Sequence, residues 1–262
     1  MLTKELEAAL QAAKKAEVKI LEVYAEPFDV EIKEDNSPVT KADKMADEII
    51  RAHLSSLFPE DGFLTEESTD TAERFSKKRI WIVDPVDGTK EFVSRNGEFT
   101  TNIALCESGQ IILGVINVPT LGKTYYAIKG QGAFRINKDG STDRIHVSDK
   151  SEGLITMRSI SFFKPEEEQY MAKHHEHFDG DPRPVGAALK FAALAEGSTD
   201  FFVRLSSGTK EWDVAPGDLL VHEAGGFMCE PDGKEFIYNR KDVYNRKGYL
   251  MGNKLQDWML IK

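Results

Sequence analysis

The chain has little of what defines several other classes of protein. It has two cysteines, Cys106 and Cys229, in 262 residues, too few for a disulfide framework, and we expect both to pack as small apolar side chains. No apolar run approaches membrane-spanning length, and the charged N-terminus lacks the apolar core of a signal peptide. We therefore expect a cytoplasmic protein without an integral membrane segment.

Basic residues are also in short supply. The sequence has 34 Lys and Arg against 44 Asp and Glu, a formal net charge of -10. This excess of negative charge argues against a nucleic-acid polymer or an anionic membrane as partner. It would also repel a phosphorylated small molecule unless metal ions intervene. The length is sufficient to bury a large core, in one domain or in two closely packed ones.

The segment from residue 80 to 92, IWIVDPVDGTKEF, organises the rest of the chain. Its β-branched and aromatic residues predict a buried strand that stops at Asp84 and Asp87. Gly88 and Thr89 can then open a short helix, whose first N–H groups have no intrahelical partner. Carboxylates beside free amides suit a divalent cation together with a phosphate. The alternative is an ordinary strand-to-helix turn in which the aspartates only cap.

Further carboxylates stand at the ends of other predicted elements. Glu66 ends an apolar run just upstream of the central segment. Asp43 follows Thr40 by three residues, which is the spacing of a capping box at the start of a helix. Asp213 stands at the start of another helix, where an N-cap is the simplest explanation, and we place Pro216 in its first turn. Each of these acids therefore has a structural as well as a functional interpretation.

The order of the predicted elements suggests two halves. Three consecutive strands, which predict an antiparallel meander, follow the central segment over 100–106, 111–118 and 124–128. Near residue 150 this composition gives way to alternating helices and strands. We therefore divide the chain into an α+β, metal-binding half (1–150) and an α/β half (151–262) that completes the site. The histidine-rich segment 174–177 has polar neighbours, which favours a solvated helix face over a metal site.

In their order and spacing, these motifs resemble the inositol monophosphatase superfamily of metal-dependent, lithium-sensitive phosphatases. The resemblance rests on Glu66-Glu67, the 84–89 motif and Trp212-Asp213, and it extends over nearly the whole chain. Within that group, the segment DGTKEF at 87–92 and Lys190 are similar to the bacterial 3'(2'),5'-bisphosphate nucleotidase branch. That branch commonly has serines at positions 187 and 188, where this chain has alanines.

The resemblance implies a layered αβαβα sandwich of the sugar-phosphatase type, with the site between the two halves. The implied metal ligands are oxygen donors for two or three Mg²⁺ ions: Glu66, Asp84, the carbonyl of Val86, Asp87 and Asp213. The implied catalytic groups, which would orient the attacking water, are Asp43, Glu66 and Thr89. The implied substrate contacts are Gly88, Thr89, Gly186, Ala187, Lys190 and Asp213.

The implied reaction is hydrolysis of the 3'-phosphate of 3'-phosphoadenosine 5'-phosphate, by a monomer or a homodimer. Its partner would be a small phosphorylated nucleotide, and its products AMP and phosphate. Inositol phosphates, fructose 1,6-bisphosphate and 3'-phosphoadenylyl sulfate stay open as alternative substrates. A non-catalytic sensor of phosphorylated metabolites, built on the same fold, stays open as an alternative function.

Overall fold

The computed structural model describes residues 2–33 and 38–261. The turn predicted at 35–38 falls on residues 35–37, which lie outside this part of the chain, and on Pro38. β1 (Val30–Ile32) and β2 (Pro38–Thr40) pair as a two-stranded antiparallel sheet. None of the helices in the described ranges is long and apolar enough to cross a bilayer.

Six α-helices are present in the described residues. They are α1 (Thr3–Ala25), α2 (Lys41–Leu57), α3 (Thr89–Val93), α4 (Pro165–Lys173), α5 (Leu189–Ala195) and α6 (Glu211–Glu223). α1 and α2 pack on each other, and small side chains such as Ala12 and Ala46, both fully buried, allow the two helices to approach closely.

A seven-stranded sheet forms the larger part of the structure. Its spatial order is β3 (Gly62–Thr65), β4 (Arg79–Asp87), β5 (Thr100–Glu107), β6 (Gln110–Val118), β7 (Lys123–Ile128), β8 (Gly132–Ile136) and β9 (Thr142–Ile145). All neighbours are antiparallel except β3 and β4, which run parallel. The predicted meander over β5, β6 and β7 is confirmed, and it continues through β8 and β9, which we did not predict.

A second, five-stranded sheet is mixed. Its spatial order is β11 (Arg183–Val185), β10 (Thr156–Ser159), β12 (Phe201–Arg204), β14 (Tyr249–Gly252) and β13 (Phe227–Cys229). β10 pairs in parallel with both of its neighbours, whereas β14 is antiparallel to β12 and β13.

Residues along β4 alternate between two hydrophobic cores. Trp81 and Val83 are buried with the apolar faces of α1 and α2. Ile80 and Ile82 are buried in a central core with α5, α6 and residues of the five-stranded sheet. Because successive side chains of a strand point to opposite faces, a continuous apolar run means that both faces of β4 are covered.

β12 repeats this alternation in the five-stranded sheet. Phe202 lies in the central core, whereas Phe201 and Val203 lie in a third core with Tyr170 and Met171 of α4. The layers are therefore α1 with α2, the large sheet, α5 with α6, the small sheet, and α4, which confirms the expected αβαβα sandwich. The two halves share the central core, and the division at residue 150 stays a prediction.

Two local expectations for α6 are wrong. Asp213 is the third residue of the helix and not its N-cap, and its Oδ2 accepts a hydrogen bond from the backbone N of Lys210, the N-cap residue, at 2.7 Å. Pro216 lies inside the helix and not in its first turn. The carboxylate therefore still satisfies a helix-start N–H, but from one turn inside α6.

Candidate metal centre and substrate cleft

Parallel pairing of β3 and β4 brings two groups of acids to one edge of the large sheet. Glu66 directly follows β3, and its backbone N donates to the carbonyl of Val83 at 3.2 Å. Asp84 and Asp87 stand at the end of β4, where the register against β5 shifts between these two residues. This irregularity, which includes Pro85, interrupts the ladder, and the two aspartates stand on either side of it at the carboxyl end of β4.

Asp213 reaches the same place from α6. Carboxylate oxygens of Asp84, Asp87 and Asp213 all lie within 4.8 Å of one another. These residues are far apart in the sequence, and they meet because α6 packs across β4, β5 and β6 in the central layer. The structure therefore brings together three of the four acidic side chains that the sequence assigns to the metal.

Burial and mutual repulsion raise the pKa values of this cluster. Burial raises the pKa of Asp84 well above its ordinary value, with further contributions from the charges of Glu66 and Asp87. Burial also raises the pKa of Asp213 to about 8 and that of Asp87 to about 6. Carboxylates at this separation are stabilised in their charged form by a divalent cation, and their hard oxygen atoms are suitable ligands. The side chains present thus fit a metal ion.

Glu66 lies beside this group and is bound by a lysine. Lys33, which directly follows β1, donates from Nζ to Glu66 Oε1 at 3.2 Å and also to Glu67. Burial raises the pKa of Glu67 to about 7, although the ammonium of Lys33 opposes the shift. Lys33 gives no sequence signal, because it is 33 residues away from its acidic partner.

Asp43 is linked to the cluster through Thr89. Asp43 is the third residue of α2, and its Oδ2 accepts from the backbone N and the hydroxyl of Thr40, which confirms the predicted capping box. The hydroxyl of Thr89 lies 3.2 Å from Asp43 Oδ1 and also 3.2 Å from the carbonyl of Val86. Burial raises the pKa of Asp43, which is 1% exposed. The same carboxylate therefore caps a helix and orients the threonine.

Gly88 packs against the segment that precedes α5. Its φ is +88°, and a Cβ at this position would lie 3.0 Å from the Cβ of Ala187 and 3.1 Å from the carbonyl of Glu98. The backbone N of Gly186 donates to Glu98 Oε2 at 2.5 Å. Only glycine combines this conformation with so close an approach, so the loop before α3 lies directly on residues 186–187.

Lys190 is bound to the same segment. Its Nζ donates to the carbonyls of Ala187 and Val185 at 2.6 and 3.3 Å. Burial lowers its pKa to about 8, although the negative charge of Asp87 opposes the shift. The implied substrate contact is thus also a group that holds the 185–187 segment in place.

These residues line a cleft of about 550 Å³ that also contains side chains to which the sequence assigned no role in the site. Its cationic and aromatic lining includes Lys90, Phe162, Lys164, Arg204, Lys210 and Tyr244. Arg204 is 7% exposed, and its Nη1 makes one hydrogen bond, to Ser159 Oγ at 3.3 Å. Its Nε has no partner, and no carboxylate in the described ranges forms an ion pair with it. A signal was present, since this arginine ends the apolar strand β12.

The histidine-rich segment is in a different environment. His175 is exposed, as predicted, but the ring of His177 stacks on Trp258 with centroids 4.2 Å apart, and that of His174 lies 5.2 Å from Trp258. α4 ends at Lys173 and a short 3-10 helix (His175–His177) follows, so these histidines lie beyond α4 and not on its face. Aromatic packing therefore accounts for two of these histidines.

Comparison with known proteins agrees with this geometry. The model of the inositol monophosphatase family matches residues 1–260. The 3'(2'),5'-bisphosphate nucleotidase CysQ of Salmonella typhimurium is 37% identical over 247 residues, which cover 93% of this chain and 98% of the relative.

Solved structures give the same result. CysQ from Bacteroides thetaiotaomicron, described as a bacterial member of the inositol monophosphatase family, has a TM-score of 0.85 at 33% identity, covering 97% of this chain and 99% of its own. An IMPase from Thermotoga maritima has a TM-score of 0.81 at 27% identity, covering 96% and 92%. With the carboxylate cluster at the sheet edge and a match over nearly its whole length, the chain belongs to the inositol monophosphatase family of metal-dependent phosphatases.

Proposed function

We propose that the protein hydrolyses the 3'-phosphate of 3'-phosphoadenosine 5'-phosphate, giving AMP and phosphate. The observation that carries the proposal is the pairing, in one cleft, of the carboxylate cluster with a buried arginine that has no carboxylate partner among the described residues. A substrate with two phosphates can occupy both places. Relatives at 36–37% identity over most of the chain are 3'(2'),5'-bisphosphate nucleotidases, which supports the same substrate.

The metal would be Mg²⁺, in two or three ions. Glu66, Asp84, Asp87 and Asp213 would hold it through carboxylate oxygens, and Val86 through its carbonyl. When bound, such ions neutralise phosphate oxygens and lower the pKa of water. The negative charge of this protein is then no obstacle to an anionic substrate, because the cluster presents cations where the phosphate binds.

The chain's own groups would place the water and the phosphate. Thr89 has one hydroxyl hydrogen to share between Asp43 Oδ1 and the carbonyl of Val86, so its oxygen lone pairs are left to accept from the attacking water. Glu66 would orient the same water. The amides of Gly88 and Thr89 would hold the phosphate. Phosphoryl transfer depends mostly on positioning and electrostatic stabilisation, and it needs no covalent nucleophile.

Arg204 would bind the second phosphate. A buried guanidinium with one weak hydrogen bond retains most of its five donors for an anion. Arginine and phosphate oxygens form strong, charge-assisted hydrogen bonds, and these are stronger in a cleft that excludes water. A bisphosphate would therefore be preferred over a monophosphate.

A phosphate-release assay with purified protein tests the proposal. We expect Mg²⁺-dependent release from 3'-phosphoadenosine 5'-phosphate to exceed release from inositol 1-phosphate, fructose 1,6-bisphosphate and 3'-phosphoadenylyl sulfate. A higher rate with one of the other three would assign that substrate instead. Tight binding of the nucleotide without release of phosphate would identify a sensor. Cytoplasmic location and a monomeric or homodimeric state stay predictions.

A further inference from the structure

Phe162 is an exposed aromatic side chain inside the cleft. It lines the cleft yet remains 40% exposed, which makes it one of the large apolar side chains that the fold does not bury. It lies in the segment 160–164, between β10 and α4. The neighbouring Ser161 donates from Oγ to Glu91 Oε1 of α3 at 2.6 Å, which fixes this segment against the other half of the protein. The ring is therefore held in place at the cleft, and it does not simply lie free in solvent.

Two cations flank this ring. Lys90 Nζ lies 4.0 Å from the ring centroid, and Arg204 Cζ lies 5.4 Å from it. Neither cation forms an ion pair with a carboxylate in the described part of the chain. Lys90 comes from α3 and Arg204 from the end of β12, so the ring stands between groups from both halves. Cations are attracted to the face of an aromatic ring, and these two bring positive charge next to a planar apolar surface.

We propose that Phe162 is the platform on which the base of the nucleotide substrate stacks, with Lys90 and Arg204 beside it to bind phosphate. The inference rests on the proposed function and adds the group that selects for a nucleotide. Every base has a π-face that stacks on an aromatic ring, whereas the puckered ring of inositol has none. A planar apolar surface between two cations matches a ligand that carries a base and a phosphate on one sugar.

The other aromatic side chains of the cleft are less suitable. Phe191 and Tyr249 are buried in the central core, which leaves Tyr244. Tyr244 has Arg246 Cζ 4.3 Å from its centroid, and that arginine is also paired with Asp242 at 2.9 Å. Its ring also lies 5.5 Å from Lys210 Nζ. Both rings have cations at them, but the arginine at Tyr244 is already paired with a carboxylate, whereas Lys90 and Arg204 have no such partner among the described residues. Tyr244 therefore serves as the matched control for Phe162.

The test compares two substrates that differ only in the base. Adenosine 3',5'-bisphosphate and the abasic sugar 3,5-bisphosphate are offered to the wild type and to Phe162→Leu, Phe162→Tyr and Tyr244→Leu. For the nucleotide we expect Phe162→Leu to raise KM by roughly 10-fold with kcat retained, as for the loss of one base–aromatic stack. The abasic substrate should have the same KM with the wild type and with Phe162→Leu. Phe162→Tyr keeps the ring and should keep the wild-type preference, and Tyr244→Leu should keep it as well.

Several outcomes would overturn the platform. Equal KM values of the wild type for the two substrates would mean that the base makes no contribution. An equal loss on both substrates in Phe162→Leu would mean that the ring only supports the loop. Loss of base preference in Tyr244→Leu instead would assign the base to that ring. If the wild type releases phosphate from neither substrate, the proposed function fails. The stacking role of Phe162 is then tested by calorimetry, which compares the binding of the same two compounds to the wild type and to Phe162→Leu. Weaker binding of the nucleotide alone in the variant would support that role, and equal binding would overturn it.

Discussion

The hydroxyl of Thr89 lies 3.2 Å from Asp43 Oδ1, and the other oxygen of the same carboxylate accepts two hydrogen bonds from Thr40. The two residues are 46 positions apart in the chain. The buried side chain of Asp43 thus caps the start of α2 and also holds the hydroxyl of Thr89 beside the carboxylate cluster. Stability and the proposed chemistry depend on different oxygen atoms of Asp43, and this difference can be used to separate them.

Thr89→Ala should lower kcat by about 100-fold, as expected for the loss of a group that transfers a proton. Thr89→Ser keeps the hydroxyl and should retain most of the activity. Because Thr89 is not part of the capping box, neither variant should change the unfolding midpoint as much as the loss of Asp43 does. The measurement is kcat for phosphate release together with thermal unfolding. Equal kcat values for Thr89→Ala and the wild type would remove the threonine from the mechanism.

Asp43→Asn tests the link between the two residues. We expect it to lower kcat, and to lower the unfolding midpoint as well because the capping carboxylate is lost. If Thr89 acts through Asp43, the double variant should be little slower than the slower single variant, since interacting residues are not additive. Multiplication of the two losses would show that the residues act independently.

Asp87→Asn should abolish turnover with the fold retained. The substitution removes one charge from the carboxylate cluster without changing its volume, and it also relieves repulsion with Asp84 and Asp213. We therefore expect a metal-free unfolding midpoint at least equal to that of the wild type, together with weaker Mg²⁺ binding by calorimetry. Near-normal activity of Asp87→Asn would contradict the metal assignment.

The placement of the acids at the ends of strands and the starts of helices was predictable, because a local pattern marks each of these places. The run from Ile80 to Val83 predicts a strand, so the aspartates that follow it lie at a sheet edge. The spacing of Thr40 and Asp43 predicts a cap, and the structure has it. Such signals act within a few residues, where the period of a strand or the chemistry of a helix start is directly readable.

Contacts between distant elements were not predictable in the same way. The parallel pairing of β3 with β4, which carries Glu66 to Asp84, depends on how the chain crosses between them. Lys33 enters the site through tertiary packing, and no local pattern marks it. Arg204 ends an apolar strand, which places it at the end of β12 but does not show that it faces the carboxylate cluster. The family resemblance supplied the meeting of Asp213 with Asp84, which residue spacing alone does not give.

Arg204→Gln should reduce the preference for a bisphosphate. Loss of a charge-assisted hydrogen bond corresponds to roughly 10- to 100-fold in kcat/KM. We expect that loss with adenosine 3',5'-bisphosphate and a much smaller one with adenosine 3'-monophosphate, which lacks the second phosphate. Arg204→Lys keeps the charge without the planar fork and should be intermediate. A similar loss of kcat/KM on both substrates would place the guanidinium at the reacting phosphate. If the unfolding midpoint fell as well, the loss would indicate a structural role.

The carboxylate cluster should make stability depend on pH in opposite ways with and without metal. In the folded, metal-free protein the pKa values of Asp213 and Asp87 are raised to about 8 and about 6, from an ordinary value of 3.8. A raised folded-state pKa contributes stability that is present below pH 3.8 and is lost as the pH rises through 6 and 8. Metal binding needs the deprotonated carboxylates, so its stabilising effect grows over the same range.

We therefore expect Mg²⁺ to raise the unfolding midpoint more at about pH 9 than at about pH 5, relative to protein in chelator. Asp213→Asn is the control, because it removes one titrating group of the cluster and keeps every other ionisable group in the chain. In chelator, the midpoint of this variant should fall less than that of the wild type between the two pH values. At the higher pH, Mg²⁺ should raise the unfolding midpoint of this variant less than it raises that of the wild type. The same gain from Mg²⁺ at both pH values in the wild type would mean that the three carboxylates do not bind the ion, because a site with these raised pKa values must release protons before it can take up a cation.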